Sequence, residues 1–457
     1  MVYNNAAMVS GGYPTTGQDW INKIADDGSS WSVMQAGLQL DQPLDIYRLR
    51  QAIRRLLEDE PVLSCRFDDS CEPPVWRPLE LSDEHWCTLA ISRTPDETIR
   101  RLITEPLPDS GQSWQVQVIR SPETSMPSTD YLLVRAHHAL MDAAGLRDLI
   151  ILLAERYRLL GDNPSETLPK PGNRSMRPLF AAVGSPDPRR LFRPDLAALH
   201  ADWGLPGHAS PDADNRPDYI RRALDDKQSA RWLLAAKTYG VTLTTLLLAG
   251  LSQTLEEFLN PDQEAIRIIQ VTSNLRRYLP PDQAMIIGNL SGMLPMKLPA
   301  GQTAGPDQSA CRQAASTPLM PEQLRQLGRQ LEDLKKQRAD LHSAAMLQLL
   351  SCRPYAEVRN MLSAAWQKSC ETQHAAPVLS NLGRWPEETM NFGDNKVNQV
   401  DFYGPAMHAP ALLLAVIGYQ GRIGLSVGHF PSERPAGIVE KLIDALIRNI
   451  DRQIETT

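Results

Sequence analysis

Ten prolines fall between Pro164 and Pro217, close to the middle of a 457-residue chain. Proline inside a helix removes a hydrogen bond and clashes with the preceding turn, and inside a central strand it removes a ladder donor. No regular element runs through that density, so the chain must fold as two parts, one on each side of it. Length agrees, because beyond about 250–300 residues a single core stops growing and chains divide. The expected division is a first lobe over 1–185, a proline-rich linker over 186–220 with a short helix near Asp195–His200, and a second lobe over 221–457.

Each part mixes strands and helices. Trp31–Leu40 reads as extended. Asp45 then caps a helix whose Leu49, Ala52, Ile53, Leu56 and Leu57 share one face. Pro61 ends that helix, and Val62–Phe67 reads as the returning strand. Trp114, Val116 and Val118 alternate with polar residues, the pattern of a half-buried strand. Tyr131–His138 is the next strand, and Leu146, Leu149, Ile150, Leu153, Tyr157 and Leu160 form the buried stripe of the helix after it. In the second part the pattern predicts helices over Asp226–Tyr239 and Thr242–Leu259, a buried strand over Ile266–Thr272 and a loop-rich stretch over Pro299–Pro321. One long helix is expected from Glu322 to about Leu350. Ala411–Tyr419 and Arg422–Gly428 pair as a hairpin through Gln420-Gly421, and Ile438–Ile450 closes the chain as an amphipathic helix. Strand and helix do not alternate regularly, so the class is mixed α/β without a doubly wound sheet.

Composition removes several functions. Hydrophobic residues make up 42% and charged residues 22%, as in a globular domain, and the net charge of −7 argues against a nucleic-acid footprint. No apolar run reaches the length of a membrane span. Six cysteines show no CxxC pair and no metal-ligand spacing. No metal site is expected, and with no export signal at the N-terminus a reducing cytoplasm is the expected compartment.

Chemistry concentrates at His137-His138-Ala139-Leu140-Met141-Asp142, which ends the apolar run Tyr131–Ala136. Successive side chains of a strand point to opposite faces. His138 therefore shares a face with Ala136, Val134 and Leu132, and His137 shares the other with Arg135 and Tyr131. Only one of the two can serve a given substrate atom, and His138 lies nearer the turn, where a cleft can open. An imidazole there, with a carboxylate in the following turn, is suited to general base work. The alternative is a pair of packed or surface histidines.

The motif resembles the HHxxxDG signature of the coenzyme A and carrier-protein dependent acyltransferases, a superfamily that includes nonribosomal peptide synthetase condensation domains, polyketide-associated acyltransferases, alcohol acetyltransferases and plant BAHD enzymes. Further blocks agree in order. Asp59–Phe67 resembles the "HPxLRxxF" strand, Thr272–Arg277 with Gly288–Gly292 the "NLR…GN" region, Ser380-Asn381-Leu382-Gly383 the "SNxG" loop, and Asp401–Pro405, more distantly, "DFGWG". The resemblance implies two chloramphenicol-acetyltransferase-like lobes in a V-shaped pseudo-dimer with a central tunnel. It implies a free-standing monomer that joins a thioester-activated acyl group to an alcohol or amine. The donor would arrive on a phosphopantetheine arm, as an acyl-carrier protein or acyl-coenzyme A, with no permanently bound cofactor.

By the same resemblance His138 is the base, His137 is mainly structural, and Asp142 pairs with Arg276 from the second lobe. Asn381, with Ser380, would hydrogen-bond the acceptor or the oxyanion. Ala143 stands where the family has glycine, which implies either ordinary backbone dihedrals there or a narrower tunnel. Two alternatives stay open: a non-catalytic module that holds carrier-bound intermediates, and a dehydrating or cyclising variant. The run Pro188–Arg193 could meet an acidic carrier or coenzyme A phosphates. Gly424-Leu425-Ser426-Val427-Gly428 matches a nucleophile elbow but sits inside an apolar run with no helix behind it.

Overall fold

The apolar run at residues 131–136 becomes the middle strand of a five-stranded sheet. The computed structural model describes residues 11–122, 129–162, 174–183, 201–208, 216–259, 265–298 and 320–455. Its strands are β1 (Tyr13–Pro14), β2 (Ser30–Trp31), β3 (Val33–Leu40), β4 (Cys65–Asp68), β5 (Val75–Pro78), β6 (Cys87–Ile91), β7 (Trp114–Arg120), β8 (Asp130–His137), β9 (Asp218–Ala223), β10 (Ile268–Asn274), β11 (Ser291–Lys297), β12 (Val378–Arg384), β13 (Val397–Tyr403), β14 (Ala406–Met407), β15 (Leu413–Tyr419) and β16 (Arg422–His429). The helices used below are α1 (Gly17–Asp26), α2 (Ile46–Asp59), α3 (Ala143–Asp162), α4 (Asp226–Tyr239), α5 (Leu243–Leu259), α6 (Pro321–Lys336), α7 (Ala339–Leu350), α8 (Tyr355–Thr372) and α9 (Ile438–Glu455).

The first sheet has the order β13-β3-β8-β7-β6. Leu132, Val134 and Ala136 of β8 face one way, onto Leu49, Ile53 and Leu56 of α2 and Leu146, Leu149 and Leu153 of α3, and all are buried. Asp45 caps α2 as expected, accepting from the N–H groups of Tyr47 and Arg48. The opposite face of β8 carries Tyr131 and Leu133 against Tyr219, Tyr403 and Phe430. There the Tyr131 hydroxyl passes over Gly37 to bond Asp401 at 3.2 Å. A Cβ on Gly37 would lie 1.7 Å from that hydroxyl, so only glycine fits.

The second sheet has eight strands, in the order β11-β10-β12-β15-β16-β14-β2, with β9 also paired to β16. Its core is built with α4, α5 and α9. The hairpin β15–β16 turns through Gln420 and Gly421, both with positive φ, the requirement of a two-residue hairpin turn. Two strands exchange between the sheets. β13, late in the chain, pairs with β3 in the first sheet, and β2, early in the chain, pairs with β14 in the second.

Several expectations are corrected. The long helix from Glu322 is two helices, α6 and α7, broken where Arg338 takes the left-handed conformation. The break leaves Asp340 free to turn inward, where it binds Ser273, Arg277 and Tyr278 and is fully buried. Pro61–Ser64 is a turn of 3₁₀ helix, and the strand begins only at Cys65. The "SNxG" stretch is a strand, β12, irregular between Asn381 and Arg384 rather than a loop. Of the expected linker, 201–208 and 216–220 are described. Trp203 and Leu205 there pack into the second core, and Asp218 already opens β9. The helix near 195–200, the run 188–193 and most of the stretch 299–321 lie outside the described residues.

Candidate active site

β8 ends at His137, held on both sides: its N–H bonds Ser113 O at 2.8 Å, and the next N–H, of His138, bonds Ser32 O at 2.7 Å. A turn follows, with Leu140 N–H on His137 O at 2.9 Å. His138 is thus the first residue out of the sheet. Its ring is half-buried, and Nε2 has no protein hydrogen-bond partner among the described residues. Nδ1 is buried and makes no bond of ordinary geometry. Burial lowers the pKa of His138, and this outweighs the opposing pull of its own carbonyl, Asp142 and Asn289. The result is a neutral imidazole with an open nitrogen, the state a general base needs.

His137 is fully engaged. Its Nδ1 accepts the Ala139 N–H at 3.0 Å, which leaves the proton of a neutral ring on Nε2. That N–H meets Asp26 Oδ2 at 3.0 Å. The other oxygen of Asp26 accepts the Ser32 N–H at 2.8 Å. Burial alone would raise the Asp26 carboxyl, but the His137 bond and the Ser32 N–H hold it below its ordinary value.

Asp142 does two jobs. It caps α3, with Oδ1 accepting the Gly145 N–H at 2.7 Å. Its Oδ2 accepts from Arg276 Nη1 at 3.0 Å and from the Leu290 N–H at 2.8 Å. Burial pushes the carboxyl up, yet Arg276 outweighs it and the group stays below its ordinary value. Arg276 Nη2 also bonds the carbonyls of Ile286 and Gly288, at 2.7 and 2.9 Å. Ala143 is the first residue of α3 and is not among the positive-φ positions, so ordinary dihedrals serve there. The glycine the packing demands is Gly145, where a Cβ would stand 2.9 Å from Gly288 O.

Residues that sequence reasoning did not name as site residues complete the clamp. Asn289 Nδ2 bonds Ala139 O at 2.7 Å and Asp19 Oδ1 at 2.9 Å. Arg174 donates to Leu140 O at 2.9 Å and Ile287 O at 2.7 Å. Residues 286–290 are therefore fastened carbonyl by carbonyl to the turn that carries His138. Asn289 had a sequence signal, since it stands in the "GN" block; Asp19, Asp26 and Arg174 had none.

Ser380 and Asn381 do not join this turn by any hydrogen bond. Ser380 Oγ accepts from Thr272 Oγ1 at 3.1 Å. Asn381 Nδ2 donates to Thr244 Oγ1 at 2.9 Å, and its oxygen accepts the Gly383 N–H at 3.0 Å. Thr244 and Thr272 border a cavity of about 540 Å³ that also reaches Arg147, Arg276 and Arg277. The cavity meets the histidine motif through Arg276, and His138 is not in its wall. Ser426 of the apparent nucleophile elbow lies within β16, buried, with its hydroxyl on Phe402 O at 2.7 Å, so it is not an exposed nucleophile.

The condensation-domain family model matches residues 13–172. No curated protein matches. The trichothecene 15-O-acetyltransferase TRI3 from Fusarium sporotrichioides is similar in structure, with a TM-score of 0.68 at 13% identity over 98% of this chain and 96% of that one. The first condensation domain of the CDA synthetase gives 0.67 at 16%, over 99% and 97%. The epimerization domain from the third module of tyrocidine synthetase B gives 0.66 at 15%, over 100% and 99%. Residues 13–172 thus match the condensation-domain family model, and the chain as a whole shares the fold of these condensation, epimerization and acetyltransferase structures.

Proposed function

We propose that the protein is an acyltransferase that joins a thioester-bound acyl group to an alcohol or amine. The observation that carries this reading is His138: a neutral imidazole with a free Nε2, on a turn clamped at two carbonyls, of Ala139 and Leu140, and at the Asp142 carboxylate. Nε2 takes the proton from the attacking hydroxyl or amine as its oxygen or nitrogen bonds the thioester carbon. The tetrahedral intermediate then collapses, the C–S bond breaks, and the proton passes to the departing thiolate. Donor and acceptor react directly, so no acyl-enzyme is required. Bringing both into one site supplies much of the rate by proximity.

The donor is proposed to be an acyl-carrier protein or acyl-coenzyme A, with the phosphopantetheine thioester as co-substrate rather than a resident cofactor. The two halves, 1–185 and 221–457, are proposed to act as lobes flanking a tunnel, in a cytoplasmic monomer serving natural-product synthesis. Among the described residues no single helix is long and apolar enough to cross a membrane.

The test is turnover of a panel of acyl-coenzyme A and acyl-carrier donors, read by product mass. His138→Ala, checked for folding by circular dichroism, should lose roughly 10²–10⁴-fold. Unchanged turnover in that variant would overturn the assignment.

A further inference from the structure

The cavity beside Arg276 has a one-sided charge pattern. Its wall holds Arg147, Arg276, Arg277 and Lys335, and no aspartate or glutamate among the described residues. Arg276 is spent on Asp142 and the carbonyls around it, and Lys335 is paired with Glu332 at 2.7 Å. The other two arginines are only half spent. Arg147 gives Nε and Nη2 to Asp148 Oδ1, at 3.0 and 2.7 Å. Arg277 gives Nη2 to Asp340 Oδ2 and to the Tyr278 hydroxyl, both at 2.8 Å. Nη1 of Arg147, and Nε and Nη1 of Arg277, have no protein partner among the described residues.

The carboxylates that pin these arginines lie deeper than the guanidinium groups do. The side chains of Asp148 and Asp340 are 2% and 0% exposed, whereas those of Arg147 and Arg277 are 25% and 33% exposed. Each pair is thus a dipole with its positive end at the accessible side, held still by its buried anion. A held guanidinium loses less entropy on binding than a free side chain does. The rest of the wall supplies apolar surface from Val271, Leu279 and Leu294. The volume, about 540 Å³, falls in the range of small-molecule sites, roughly 300–1,000 Å³.

We propose that this cavity is a subsite for a carboxylate-terminated aliphatic chain, with Arg147 and Arg277 on the carboxylate, Lys335 at the rim, and the chain along the apolar wall. The substrate class follows, resting on the acyl-transfer reading: an acyl or acceptor chain that carries a free acid at the end remote from the reacting atom. Because Nη2 of each arginine is already held, the carboxylate is met by single charge-assisted donors, Nη1 of Arg147 and Nε or Nη1 of Arg277.

Binding of sodium octanoate and of uncharged 1-octanol to the full chain tests this by titration calorimetry. Octanoate should bind at least ~10-fold more tightly, the worth of about one charge-assisted hydrogen bond. Arg277→Gln and Arg147→Gln should each erase most of that preference while leaving 1-octanol binding unchanged. Lys335→Gln lies on an accessible helix face and remains readable if an arginine variant fails to fold; it should reduce the preference in part. Equal binding of the two probes, or a preference that survives both arginine variants, would overturn the proposal. The measurement needs no turnover, so it stands apart from the test of acyl transfer: a protein that binds octanoate but turns over no thioester refutes that reading and leaves the subsite intact.

Discussion

Arg276 and Asp142, 134 residues apart in sequence, meet at 3.0 Å in the protein interior, and each is almost wholly buried. The pair ties the cap of α3 to the segment that follows β10. It therefore acts on the turn carrying His138 without touching that residue.

Removing one member strands the other charge in the interior. Arg276→Leu is expected to cost about 3–5 kcal/mol of stability, measured by urea denaturation. Asp142→Asn should also destabilise, because its single amide oxygen can replace only one of the two carboxylate oxygens and its NH2 group then faces the N–H of either Gly145 or Leu290. The double variant should lose clearly less than the sum of the two. Additive losses would show that the residues do not depend on each other.

The pH profile of kcat/KM should reflect the depressed pKa of His138. Burial favours the neutral ring, so the midpoint of the acid limb should fall below the ordinary histidine value of 6.5. A midpoint at or above that value would mean that His138 is solvated in the working enzyme, or that another group sets the limb.

Asp26 should matter through His137 rather than through substrate. Asp26→Leu removes the acceptor for His137 Nε2 and frees the ring that receives the Ala139 N–H. A turn loosened by an ångström can cost on the order of 10²-fold, so kcat should fall by roughly that factor with KM little changed. Asp26→Asn keeps an acceptor oxygen and should restore most of the loss. Equal activity in all three proteins would make the contact dispensable.

Glu60, buried at the end of α2, has its carboxyl pushed up to about 7 by burial, against the pull of Arg174. The folded protein therefore holds this proton more tightly than the unfolded chain, whose ordinary value is 4.5. Between those two values the native state binds more protons than the unfolded state, so this group's contribution to stability falls as pH rises. The change amounts to about 3 kcal/mol, complete above the folded value. Glu60→Gln stays neutral throughout. It should match wild type near pH 4.5 and exceed it at about pH 8 by roughly 2–3 kcal/mol in urea melts. No difference at the higher pH would mean that the carboxylate is solvated on ionisation.

The local elements were legible because their causes are local. The capped start of α2, the alternation in β7, the bounds of α4, the left-handed turn at Gln420-Gly421 and the closing helix α9 follow from periodicity, capping and turn chemistry over a few residues. The strand that ends at His137 was legible for the same reason, whereas the two rings are separated because the strand stops there and His138 already lies in the turn. The pairing of Arg276 with Asp142 was reached through family resemblance, not through spacing.

Tertiary structure alone decided the rest. Asp26 lies 111 residues from His137, and Asp19 lies 270 residues from Asn289, and a hydrogen bond across such a distance leaves no trace in either local sequence. The exchange of β13 and β2 between sheets depends on which edges remain unpaired once both sheets exist. The break between α6 and α7 depends on Asp340 finding three partners that helical periodicity cannot anticipate. The sequence by itself singled out His138 as the residue proposed to serve as the base. Only the folded chain decided how that residue is held, because burial and pairing are properties of the neighbours that folding brings together.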